Sequence, residues 1–137
     1  MNGEERTASR PTVLYIDDDR FLLTLCCDLL ELHGYRTLLA TDGSTGIETA
    51  KAGRPDVILL DLVMPGMDGL EVCRHLRTLP DLRTTPIILF TARQDLKLDI
   101  QAVDAGATLI LRKEFGSLEL FQTIARLLGR KGGPGAP

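Results

Sequence analysis

Val57-Ile58-Leu59-Leu60-Asp61, four consecutive aliphatic residues ending on an acid, is the stretch on which the fold turns. An unbroken apolar run of this length lacks the alternation of a half-solvated strand and reads as a strand buried on both faces. Burial on both faces needs helices above and below the sheet. The flanking sequence supplies them. Upstream, Val13-Leu14-Tyr15-Ile16 stops on Asp17-Asp18-Asp19, and apolar residues then recur at Leu22, Leu25, Cys26, Leu29 and Leu32, a helical spacing closed by Gly34. Tyr35 to Ala40 reads as a strand and about Ser44 to Ala52 as a helix, closed by Gly53 and Pro55. Downstream, Pro65 to Gly69 turns the chain into a helix from about Gly69 to Leu79, with Asp68 and Glu71 as an N-terminal capping pair. Pro80 ends that helix, and Pro86 introduces the run Ile87-Ile88-Leu89-Phe90. The fifth unit places Leu96, Ile100 and Val103 at helical spacing, stops at Gly106, and continues as Leu109-Ile110-Leu111. A last helix begins at Ser117, with Leu120, Phe121, Ile124, Leu127 and Leu128 inward.

Five strand-then-helix units imply an α/β protein with a parallel five-stranded sheet between two helical layers. Right-handed crossovers leave few topologies, and a chain of this size favours the flavodoxin-like (βα)5 order 2-1-3-4-5. A TIM barrel needs about twice the length. The 137 residues suit one domain. Residues 1–11 are expected as a mobile N-terminal segment, 12–129 as the folded domain and 130–137 as a disordered Gly/Pro tail. Sixteen Lys and Arg against nineteen Asp and Glu leave a net charge of -3, and the basic residues form no stripe, which argues against nucleic acid. No apolar stretch reaches the roughly 18 residues that span a bilayer, and the polar start has no secretory core, so a soluble cytoplasmic protein is expected. Cys26, Cys27 and Cys73 are odd in number without metal-site spacing, and Cys26 and Cys27, inside an apolar periodic segment, read as small buried hydrophobes. His33 and His75 read as surface residues at helix ends.

In open α/β sheets, ligands bind beyond the carboxyl ends of the strands. The residues there are Asp17, Asp18 and Asp19 after the first strand, Asp61 after the third, Thr91 after the fourth and Lys113 after the fifth. Singly each is ordinary: an acid after a strand commonly caps the next helix, as Asp19 does before Arg20. Together they aim carboxylates, a hydroxyl and an ammonium at one region. In the order 2-1-3-4-5 the first and third strands are neighbours, so Asp18 and Asp61 lie close. Two carboxylates at about 4 Å repel by roughly 4 kcal/mol at an effective dielectric of 20. Either a cation joins them or one stays protonated. An all-oxygen set suits a hard ion, and Mg²⁺ takes one or two carboxylates plus phosphate oxygens. Mg²⁺ beside Lys and Thr reads as a phosphoryl site.

At these motifs the chain resembles the receiver domains of two-component response regulators, over about Thr12 to Leu128. The resemblance rests on Val13-Leu14-Tyr15-Ile16-Asp17-Asp18-Asp19, on Leu59 to Gly69 around Asp61, on Pro86-Ile87-Ile88-Leu89-Phe90-Thr91-Ala92, and on Ala105-Gly106-Ala107 with Lys113. It implies that residues 12–129 are a receiver domain acting as a phosphorylation-dependent switch rather than as an enzyme. Asp61 would be the phosphoacceptor, taking the group from a sensor histidine kinase or a phosphotransfer protein. Asp18, Asp61 and the backbone carbonyl of Val63 would ligate Mg²⁺, with Asp17 helping through a water. Thr91 and Lys113 would each bond a phosphoryl oxygen, and an output protein would read the face formed by about 95–128.

The chain departs from the family's pattern at several positions. Glu114 follows Lys113 where proline after a cis bond is usual, and a non-prolyl cis bond would cost about 3–4 kcal/mol. Ile110 stands where an aromatic ring usually switches inward. Val63 and Arg93 hold the positions two residues beyond Asp61 and Thr91 that flank the attacking water. An Asp-nucleophile phosphatase would want D-x-D-x-T/V, which Phe21 breaks, and a flavin module would want hydroxyls where Asp17 to Asp19 stand. Two variants of the receiver reading stay open beside a single-domain regulator. One is an interaction module that is rarely phosphorylated because Lys113 is mis-set, and the other is one receiver of a longer regulator.

Overall fold

Every residue of β3 (Val57–Asp61) is buried, as its unbroken aliphatic run requires. The computed structural model that shows this describes residues 10–92, 95–113 and 118–129. Around β3 lie β1 (Thr12–Ile16), β2 (Arg36–Ala40), β4 (Ile87–Thr91) and β5 (Leu109–Arg112), all parallel, in the order β2-β1-β3-β4-β5. The helices are α1 (Arg20–Leu32), α2 (Gly43–Gly53), α3 (Gly69–Arg77), α4 (Leu96–Ala105) and α5 (Leu118–Leu127), and a short 3₁₀ turn at Pro80–Leu82 follows α3. This is the flavodoxin-like arrangement that the strand and helix periods imply. The expectations for residues 1–9 and 130–137, and the helix start at Ser117, fall outside the described residues.

Strand parity divides the core in two. Val13, Tyr15, Val57, Leu59, Ile88 and Phe90 point to the side covered by α1 and α5, where they meet Leu22, Cys26, Leu30, Leu120 and Ile124. Leu14, Ile16, Ile58, Leu60, Ile87 and Leu89 point the other way, onto α2, α3 and α4. Four helix starts are closed in one manner: Asp19, Asp42, Asp68 and Asp95 accept the backbone N–H three residues on, from Leu22, Thr45, Glu71 and Leu98. Each such cap contributes about 1 kcal/mol. Gly69 is required at the start of α3, because a Cβ there would stand 2.4 Å from the carbonyl oxygen of Asp61. Only a hydrogen in that place lets the helix begin this near the end of β3.

In two helices the apolar residues that the sequence sets at helical spacing are not all on the buried face. In α4 the stripe Leu96, Ile100 and Val103 lies outward, at 75%, 65% and 77% exposure, while Leu98, Ala102 and Ala105 are buried. Both sets are at helical spacing, and the alanines allow the helix to pack against the sheet where larger side chains would hold it off. In α1, Leu32 is exposed and Leu23 and Leu30 are buried. His33, expected on the surface, is half-buried and stacks on Phe121 with ring centroids 4.1 Å apart, whereas His75 is exposed. The inversion in α4 is open to measurement by urea denaturation. Leu98→Ala is expected to cost about 2–4 kcal/mol and Ile100→Gln less than about 0.5 kcal/mol. Comparable losses at the two positions would contradict the observed face.

Candidate functional site

The switch point of this sheet lies between β1 and β3, since the chain leaves β1 for β2 on one side and returns to β3 on the other. Beyond the carboxyl ends of these strands a crevice opens, and the register decides which residues meet there. Ile16 pairs with Leu60, so Asp17 is level with Asp61. Asp17 also extends the ladder toward β2 by one bond, its N–H donating to the Ala40 carbonyl at 3.0 Å. Asp17, Asp61 and Lys113 continue the parity of Tyr15, Leu59 and Leu111, whose side chains belong to the α1/α5 face. The sheet therefore delivers them together.

One carboxylate oxygen from each of Asp17, Asp18 and Asp61 lies within 4.8 Å of the others. Asp17 is fully buried and Asp61 nearly so, whereas Asp18 faces solvent. Lys113 Nζ bridges the two buried acids, 2.7 Å from Asp17 Oδ2 and 3.2 Å from Asp61 Oδ1. Three carboxylates against one ammonium leave negative charge in excess. Burial, reinforced by the neighbouring Asp17, pushes the Asp61 carboxyl up to about 6, even though Lys113 pulls it down. For Lys113 burial alone would favour the neutral amine, but Asp17 and Asp61 outweigh it and its pKa is raised. The donors are all oxygen, carry surplus charge and open to water at Asp18. That chemistry fits a small hard divalent cation such as Mg²⁺.

Thr91 closes β4 and is 2% exposed. Because Asp61 pairs with Phe90, Thr91 stands one residue beyond the level of Asp61 on the neighbouring strand. Its carbonyl accepts the Lys113 N–H at 2.8 Å, which ties the ends of β4 and β5 together. Val63 is 68% exposed in the loop from β3 to α3. That loop is drawn shut by the Gly69 N–H, which donates to the Leu62 carbonyl at 2.8 Å. Arg93, Glu114 and the Lys113-Glu114 bond lie outside the described residues.

One contributor escaped the sequence reading. Tyr15, taken there as part of an apolar run, sends its hydroxyl to Asp17 Oδ2 at 2.6 Å. The available signal was parity, since a residue two before a strand-end acid shares its face.

With this geometry in view, the comparisons with known proteins bear directly on it. The family model described as response regulator receiver domain matches residues 13–125. The chain belongs to the receiver family. The receiver is 41% identical over 118 residues to the response regulator MprA of Mycobacterium leprae, covering 86% of this chain and 51% of that protein. It is 40% identical to MprA of Mycobacterium ulcerans over 86% of this chain and 50% of that one. The receiver thus spans about half the length of these curated relatives. Among solved structures it resembles the chemotaxis protein CheY4 of Vibrio cholerae, with TM-score 0.84, 29% identity, and coverage of 87% of this chain and 99% of that one. A response regulator structure from Chloroflexus aurantiacus superposes with TM-score 0.82 at 30% identity, over 89% of this chain and all of that one. In the receiver Ile110 is half-buried against the α2/α3/α4 core cluster, so no aromatic ring stands at that position of β5. Among the described residues, no helix is long and apolar enough to cross a membrane.

Proposed function

We propose that this receiver accepts a phosphoryl group on Asp61 and signals through the resulting change in its surface. The observation that carries the reading is the Lys113 ammonium set between Asp17 and Asp61, beside a trio of carboxylates able to share a cation. Asp18, Asp61 and the backbone carbonyl of Val63 would hold Mg²⁺, with Asp17 acting through water. When bound, the ion offsets charge on the transferring oxygens. The Asp61 carboxylate attacks phosphorus as a nucleophile, and the bond to the histidine of a kinase or phosphotransfer donor breaks as the acyl phosphate forms. Lys113, which already faces Asp61, pairs with one new phosphoryl oxygen, and the Thr91 hydroxyl donates to another.

The transfer adds about one further negative charge to a site already rich in acids. Drawing Lys113 and Thr91 toward it shifts the ends of β4 and β5, which the Lys113 to Thr91 backbone bond couples. The output partner is then read out on about 95–128. The exposed Leu96, Ile100 and Val103 of α4 belong to that stretch, and their exposure supports a binding role. With no aromatic at position 110, the relay runs through backbone shifts after β4.

Incubation with acetyl phosphate and Mg²⁺, followed by intact mass measurement, tests the reading. One added phosphoryl group is expected, absent in Asp61→Asn; no gain, or a gain that persists in Asp61→Asn, would overturn it. The rival of a rarely phosphorylated interaction module rests on a mis-set Lys113, and the contact of 3.2 Å to Asp61 supports the acceptor reading over it. A second reading follows from the length of the MprA relatives, namely one receiver joined to an output domain in a longer polypeptide. The mass of the endogenous protein separates that arrangement from a single-domain regulator.

A further inference from the structure

Asp17 carries an unusual load for a fully buried carboxylate. Its Oδ1 accepts the Asp19 backbone N–H at 2.9 Å. Its Oδ2 accepts both the Tyr15 hydroxyl at 2.6 Å and the Lys113 ammonium at 2.7 Å. Of the three donors, two are immobile. The Asp19 amide is fixed by the turn into α1, and Tyr15 is fixed by the core, where it is 0% exposed with its ring edge-on to Phe90 at a centroid distance of 6.0 Å. Lys113 is the mobile one, because the proposed phosphoryl transfer draws it toward new oxygens. When it leaves, Tyr15 is the side chain that still holds Oδ2.

We propose that Tyr15 is a positioning residue of the phosphoacceptor site, whose hydroxyl orients Asp17 from beneath so that the carboxylate keeps one orientation as Lys113 is exchanged for metal and phosphoryl charge. The inference deepens the reading of Asp61 as a Mg²⁺-assisted acceptor and rests on it. Parity is what makes the arrangement available. Tyr15 is two residues before Asp17, on the same face, and its ring supplies the height that brings an oxygen to the carboxylate. A buried phenol donating to a carboxylate also answers the cost of removing Asp17 from water. Carboxylates around a metal depend on such outer partners, whose loss typically weakens metal affinity about 10- to 100-fold.

The experiment compares Mg²⁺ titrations of the wild type, Tyr15→Phe and Phe90→Leu, followed by the amide resonances of Asp19 and Asp61 in the absence of any phosphodonor. Tyr15→Phe removes one oxygen and keeps the ring. Phe90→Leu disturbs the packing around that ring and keeps the hydroxyl. Tyr15→Phe is expected to raise the half-saturating Mg²⁺ concentration about tenfold, with Phe90→Leu within about twofold of the wild type. Equal affinity in the wild type and Tyr15→Phe would overturn the positioning role while leaving Asp61 as acceptor intact. An equal loss in both variants would also overturn it, by making packing rather than the hydroxyl the cause. No saturable Mg²⁺ response in the wild type itself would instead defeat the metal-assisted reading. Far-UV circular dichroism, recorded on the same samples, establishes that each variant is folded.

Discussion

Lys113→Met is expected to destabilise the metal-free protein by about 2–4 kcal/mol and to leave a variant that Mg²⁺ stabilises more than it stabilises the wild type. Removing one partner of a buried ion pair leaves the other uncompensated, which ordinarily costs about 3–5 kcal/mol. Lys113 retains 19% side-chain exposure, so the lower part of that range applies. Its loss strands two carboxylates at once. Asp17 would keep the Tyr15 hydroxyl and the Asp19 N–H, but Asp61 would face Asp17 and Asp18 with no cation between them. A divalent ion can then take the vacated role, and its binding free energy is added to the folded state alone. Urea denaturation of wild type and variant, each in EDTA and in excess Mg²⁺, gives four midpoints. A variant that Mg²⁺ stabilises less than the wild type would show that Lys113 and the metal do not share these acids. In the proposed transfer Lys113 would pair with the developing phosphoryl charge, so its loss is expected to slow labelling by acetyl phosphate by about 100-fold even with Mg²⁺ present.

Asp61→Asn has the opposite expected sign, although it alters the same cluster: at pH 8 in EDTA it stabilises the protein. The Asp61 carboxyl lies at about 6 against an ordinary value of 3.8, raised first by burial and then by Asp17. The folded state therefore holds a proton more tightly than the unfolded chain, and stability falls as pH rises from about 4 through about 6. Below that window the penalty is absent, and above it the whole penalty is present. A shift of about two units corresponds to about 3 kcal/mol at most. That figure is already net of the pull of Lys113 at 3.2 Å, and because an amide replaces the protonated carboxyl only imperfectly a net gain on the order of 1–2 kcal/mol is expected. The difference between variant and wild type should vanish toward pH 4 and shrink in Mg²⁺. Destabilisation by Asp61→Asn at pH 8 would contradict the picture of an acceptor held ionised against its surroundings. A function that needs a charged nucleophile is here expected to cost stability, which a cation returns.

The opposite signs arise from one arrangement, and the sequence disclosed its parts unequally. Strand ends were legible because aliphatic runs such as Val57 to Leu60 stop on polar residues, and the order of a five-unit parallel sheet then brings Asp17, Asp18 and Asp61 to one edge. Caps were legible at Asp19 and Asp68, where an acid precedes a helical period. The inward face of α4 was not. Leu96, Ile100 and Val103 look like a core stripe, yet Leu98, Ala102 and Ala105 fill that place. Periodicity shows that a helix has two faces, while the space left above the sheet selects which one enters. Nor was the first partner of Lys113 legible, since the ammonium lies nearer Asp17 than the acceptor it was expected to serve.

Sequence alone determined the alternation of strand and helix, the resulting topology and the identity of the groups collected at the carboxyl edge, because period and residue type are properties of the chain. The folded structure decided what those groups do to one another. It set a phenol beneath Asp17, an ammonium between two acids and a proton affinity at Asp61 far from its ordinary value. Those outcomes depend on distances of a few ångströms and on exclusion of water, and both come into existence only when residues remote in the chain are packed side by side.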